Sequence, residues 1–85
     1  MSYRGEEIIH KFEYETFSEF VDDIVADFDY EDADDICSEV RQTMLDGEAR
    51  SFEVAEFEYV IAKFGRFVWV YWRTGDITAQ ARIEC

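Results

Sequence analysis

Phe67-Val68-Trp69-Val70-Tyr71-Trp72 is the stretch from which the fold of this chain is read. Every side chain in it is β-branched or aromatic, the types that pack best on a pleated surface. Successive strand residues point to opposite faces, so Phe67, Trp69 and Tyr71 lie on one side and Val68, Val70 and Trp72 on the other. A strand apolar on both sides is predicted to be central in its sheet. On its N-terminal side Lys63-Phe64-Gly65-Arg66 supplies a turn. Before that turn, Phe57, Tyr59 and Ile61 alternate with Glu58, Val60 and Ala62, which predicts a hairpin partner over Phe57 to Phe64. On its C-terminal side Arg73-Thr74-Gly75-Asp76 reads as the next turn. Ile77, Ala79, Ala81 and Ile83 then alternate with Thr78, Gln80, Arg82 and Glu84 in a one-sided strand. Ser51 to Val54 reads as a short strand or as an extended approach to the hairpin.

The N-terminal half changes period. Ile8, His10, Phe12 and Tyr14 alternate with Ile9, Lys11 and Glu13, predicting a first strand over Glu6 to Tyr14. Thr16-Phe17-Ser18-Glu19 has the form of a capping box, and Phe17, Phe20, Val21, Ile24, Val25 and Phe28 then recur at helical spacing. The pattern breaks between Asp29 and Asp32. Asp32 is placed to cap a second helix with Asp34 and Asp35 in its first turn, where negative charge suits the helix dipole. Ala33, Ile36, Cys37, Val40 and Met44 form its apolar stripe, and Asp46-Gly47 reads as its end. The chain is therefore predicted to be one α+β domain over residues 1–85, in the order β-α-α-β-β-β. Its antiparallel sheet carries two acidic helices on one face, with the first strand at an edge. Two helices cover one face of a sheet, so the other is left exposed or is buried by a partner.

No catalytic signature accompanies this fold. There is no Gly-rich phosphate loop, no Cys-x-x-Cys, no His-Glu-x-x-His and no nucleophile elbow, so a non-enzymatic role is expected. A calcium loop starting at Asp27 fails, because Asp32 stands where Gly is needed and Ser38 where a bidentate Glu is needed. His10 has no second histidine to join it. Neither a metal nor a cofactor is expected. Cys37 and Cys85 do not resemble a disulfide framework and are read as free thiols, with Cys37 on the apolar stripe. The stretch Met1 to Glu7 lacks the basic start and apolar run of a signal peptide, and no window is apolar enough to span a membrane. A cytoplasmic location is expected. A formal net charge of -13 opposes direct binding to nucleic acid or to an anionic membrane. Partners should be basic.

That charge is confined. Phe12 to Val40 holds twelve carboxylates and no Lys or Arg, whereas the rest of the chain has nine acids against eight bases. Acids on a helix surface are usually interleaved with bases, because like charges at i, i+4 cost a few tenths of a kcal/mol and opposite charges gain as much. Helix neighbours three or four apart have Cβ atoms about 5–6 Å apart, and one DNA strand advances about 3.4 Å per phosphate. Glu19, Asp22, Asp23, Asp27, Asp29, Glu31, Asp32, Asp34 and Asp35 are therefore the candidate partner-binding residues, spaced to imitate a row of phosphates. Glu19 has a local explanation in the capping box, and Asp32, Asp34 and Asp35 have one at a helix start. Asp22, Asp23, Asp27, Asp29 and Glu31 have none.

In size, acidity and want of a catalytic motif, with the Phe12 to Val40 run set over an aromatic core, the chain resembles small phage-encoded anti-restriction and anti-CRISPR proteins. Several of these act as DNA mimics. The resemblance implies stoichiometric inhibition, with the acidic helices occupying the basic DNA- or RNA-binding surface of a host defence complex. Phe67, Trp69, Tyr71 and Trp72 form a possible second interface. On the alternative reading that surface makes the chain an oligomer, such as a homodimer through the sheet, or an adaptor, and the acids serve only solubility.

Overall fold

The computed structural model describes residues 10–75 and 77–84, the side chain of residue 77 excepted. The aromatic run becomes part of β4 (Phe67–Thr74), the middle strand of a five-stranded sheet. The other elements are β1 (His10–Tyr14), α1 (Phe17–Asp27), α2 (Tyr30–Asp46), β2 (Arg50–Val54), β3 (Phe57–Phe64) and β5 (Ile77–Glu84). The strand order is β1-β5-β4-β3-β2. β2 to β5 form an antiparallel meander, and β1 lies parallel to β5 at the opposite edge, with His10 beside Ala79 and Tyr14 beside Ile83. The chain is thus an α+β domain with its first strand at an edge, but the sheet is mixed and not antiparallel throughout, because the connection through both helices and the meander sets β1 parallel to β5. Ser51 to Val54 proves to be strand, the edge strand β2, so the meander has one more member than the hairpins alone required. The part of the first strand expected over residues 6–9 lies outside the described residues.

Two tight turns set the meander's register. Gly65 takes φ 62°, a left-handed conformation that glycine adopts without steric penalty, and it links β3 to β4 in a two-residue hairpin. The β2–β3 turn is less ordinary. Ala55 and Glu56 both have positive φ, 53° and 71°, in a position where Asn-Gly is preferred.

One face of the sheet is covered. α1 packs against β1 and β5, and α2 lies across β2, β3 and β4. Phe20 and Ile24 of α1 and Ala33, Ile36 and Val40 of α2 meet Tyr59, Ile61, Val68, Val70, Ala81 and Ile83 of the sheet, and all are buried. Each large aliphatic or aromatic side chain removed from water here is worth about 1.5–3 kcal/mol. No described helix is long and apolar enough to cross a membrane.

The helix junction differs from the expected one. α2 begins at Tyr30 with Asp29 as its N-cap residue, so Asp32 sits in the first turn and caps nothing. The backbone explains the shift. The Phe28 N–H still bonds the Ile24 carbonyl at 3.0 Å, and the Ala33 N–H already bonds the Asp29 carbonyl at 2.8 Å. Only Phe28 and Asp29 separate the helices. Phe28 is pinned there by its edge-to-face contact with Phe57, ring centroids 5.7 Å apart.

Candidate functional site

The outer surface of α1 is built from its cap onward. Thr16 Oγ1 accepts the Glu19 N–H at 3.2 Å, while Glu19 Oε1 accepts the N–H of Glu15 at 3.0 Å. The capping box is therefore closed one residue earlier than its usual reciprocal form. Phe20 and Ile24 point into the core, which turns Glu19, Asp22, Asp23 and Asp27 outward, and all four are exposed. Asp23 accepts a hydrogen bond from Tyr14 Oη at 2.8 Å. Burial, and then this bond to a carboxylate, push the Tyr14 phenol well above its ordinary range.

On α2 the burial of Ala33, Ile36, Val40 and Thr43 leaves Glu31, Asp34 and Asp35 exposed and Asp32 half-buried. The new start of the helix redistributes the local explanations. Glu31 and Asp32 occupy the first turn and interact well with the dipole. Asp34 and Asp35 lie beyond it and lose the explanation their sequence position suggested. Asp29 holds the N-cap position, but its side chain makes no capping bond. The acids without a local reason are therefore Asp22, Asp27, Asp34 and Asp35.

The bases are engaged elsewhere. Arg50 pairs with Glu39 at 3.4 Å and with Asp46 at 3.0 Å at the far end of α2, and donates to Thr43 Oγ1 at 2.7 Å. Its hydrogen bond, with the Glu48 N–H, holds the Asp46 carboxyl down to about 2. Lys63 donates to the Met44 carbonyl at 3.2 Å, and the Arg41 guanidinium lies 5.7 Å from the centre of the Phe17 ring. Arg66, Arg73 and Arg82 pair with Glu84, Glu58 and Glu13 on the sheet. Among the described residues, none of the nine candidate acids takes part in an ion pair. Two adjacent helices thus expose an unneutralised row of carboxylates.

The candidate aromatic residues are divided by the sheet. Phe67, Trp69 and Tyr71 lie on the face away from the helices. Trp72 lies on the helix side, stacked on Tyr59 at 6.0 Å and on Phe12 at 6.1 Å, and so belongs to no common surface with the other three. The strand period requires this separation. On the open face Phe67, Trp69 and Tyr71 are joined by Phe64, Ala62 and Val60 of the neighbouring strand. Phe64 and Val60 are 66% and 48% exposed. Sequence reading omitted these three, although the alternation around Tyr59 and Ile61 places them out of phase with the core.

His10 is exposed on the edge strand, its ring 6.4 Å from that of Phe12. Cys37 is half-buried, and burial followed by the charge of Asp34 pushes its thiol up, the wrong direction for a nucleophile. Cys85 lies outside the described residues. No group of three or more His, Cys, Asp or Glu among the described residues converges to hold a metal ion. No family model, curated protein or solved structure matches the chain.

Proposed function

We propose that the chain is a non-enzymatic inhibitor that imitates the charge of nucleic acid. On this reading α1 and α2 dock on the basic DNA- or RNA-binding surface of another protein, a host defence complex of the CRISPR-Cas or restriction kind. The observation that carries it is the unneutralised acidic face: Asp22, Asp27, Asp34 and Asp35 are exposed, lack an ion pair among the described residues and have no local structural task. A helix that served only solubility would interleave bases. The chain instead places its described arginines on the sheet, at the end of α2 and over Phe17. Long-range attraction then speeds encounter with a cationic groove, and the partner's Lys and Arg lose access to their nucleic acid.

The test begins with the immobilised chain, used to capture proteins from the cell in which it acts. Captured proteins are then challenged with salt and with duplex DNA or RNA. Binding should weaken steeply as ionic strength rises, be competed by nucleic acid, and fail when Asp22, Asp27, Asp34 and Asp35 are changed together to Asn. Retention that survives both salt and the quadruple substitution would sink the reading.

A further inference from the structure

Val60, Ala62 and Phe64 of β3 pair directly with Tyr71, Trp69 and Phe67 of β4 on the face that no helix covers. They make one apolar block beside the middle of the sheet. Its border is charged but balanced. Arg82 pairs with Glu13 at 3.3 Å, Arg73 with Glu58 at 3.2 Å and Arg66 with Glu84 at 3.5 Å, and the Arg82 guanidinium lies 4.6 Å from the centre of the Phe67 ring. Lys11 of β1 and Glu53 of β2, at opposite edges of this face, add one charge of each sign. The helix side is strongly anionic, whereas this side is neutral.

We infer that this face receives a second copy of the chain, sheet on sheet, in a two-fold dimer. Charge selects the copy. Two chains of net charge -13 repel one another through their helices and meet without direct opposition only through a neutral face. Stacked sheets pack about 10 Å apart and a helix layer adds about 10 Å on each side, so the acidic surfaces end some 30 Å apart. That is several Debye lengths at physiological salt, each about 8 Å. The repulsion is largely screened.

Register supplies the second reason. A two-fold axis parallel to the strands and passing between β3 and β4 lays β3 of each copy over β4 of the other and maps the apolar block onto itself. It also brings Arg73 of each copy towards Glu58 of its mate, because these two residues pair across the same two strands. Size is the third. Three strands of eight residues and two of five at about 3.4 Å per residue, spaced about 4.8 Å apart, give a projected face of about 550 Å². A standard interface buries about 800 Å² of accessible surface per partner. Side chains standing off the sheet carry more accessible surface than its outline, so one copy of the same face approaches that demand.

Sedimentation equilibrium of the full chain, from micromolar to near-millimolar concentration and at low and moderate salt, tests the dimer. The mass should approach that of two chains at the upper end, with association strengthened by salt. Val60→Glu and Phe64→Glu each place uncompensated like charges across the axis and should weaken association by roughly tenfold or more, while circular dichroism stays that of the folded chain. Phe64 borders the exposed β3–β4 turn, so Phe64→Glu carries the test should Val60→Glu fail to fold. Asp22→Asn, on the opposite side, should leave association intact whatever it does to partner capture. A monomer at every concentration would overturn the dimer and leave the face to a partner of other chemistry. Association that survives the folded glutamate variants, or that weakens with salt, would overturn it too.

Discussion

Tyr59 shows how far a single side chain can depart from its apparent role. Its ring is buried, stacked on Phe52 with centroids 5.1 Å apart and planes 3° from parallel. Its hydroxyl has no hydrogen-bond partner among the described residues. Burial, and then the charge of Asp32, push the phenol well above its ordinary range. A buried polar group left unsatisfied costs about 1–3 kcal/mol. Tyr59→Phe keeps the stacking and removes the orphan, so it should raise stability by about 1 kcal/mol and the melting temperature by several degrees. A lowered melting temperature would mean that the hydroxyl is satisfied after all. Tyr14 is the opposite case, because its hydroxyl donates to Asp23 and ties the first strand to the acidic helix.

The two helices end differently, and the difference bears on function. The last turn of α2 contains Asp46, which Arg50 neutralises, while Lys63 caps the Met44 carbonyl. The last residue of α1 is Asp27, with no base in its final turn. A carboxylate there opposes the negative end of the helix dipole and repels Asp23 at i, i+4. Asp27→Lys turns both terms favourable and should stabilise the fold by about 1 kcal/mol, measured by thermal or urea unfolding. The same substitution should weaken partner capture. Destabilisation would show that Asp27 already makes a favourable contact, and unchanged capture would remove it from the binding surface. The helix faces themselves were legible in sequence, because a period of 3.6 residues separates Phe20 and Ile24 from Asp22, Asp23 and Asp27 without any tertiary knowledge. The start of α2 was not. Several Asp residues in a row offer equivalent caps, and the choice of Asp29 follows from the long-range contact of Phe28 with Phe57.

For the molecule as a whole, charge of one sign on one layer is a source of self-repulsion. Salt should therefore stabilise the isolated chain, with the melting temperature rising between low and moderate ionic strength as the acidic helices are screened. A flat or falling curve would mean that these carboxylates are already neutralised by a bound cation. Composition, periodicity and charge segregation were enough to establish the α+β class, the central strand and the acidic faces, because each depends on local spacing along the chain. Tertiary packing alone decided three things: that Ser51 to Val54 joins the sheet as an edge strand, that the helices cover the face of Trp72 and leave that of Phe67, Trp69 and Tyr71 open, and that Arg50, Arg66, Arg73 and Arg82 pair with Glu39, Asp46, Glu84, Glu58 and Glu13 and not with the nine candidate acids. The physical reason is common to all three. Pairing partners and the choice of covered face are settled by contacts between residues distant in sequence, which no local pattern encodes.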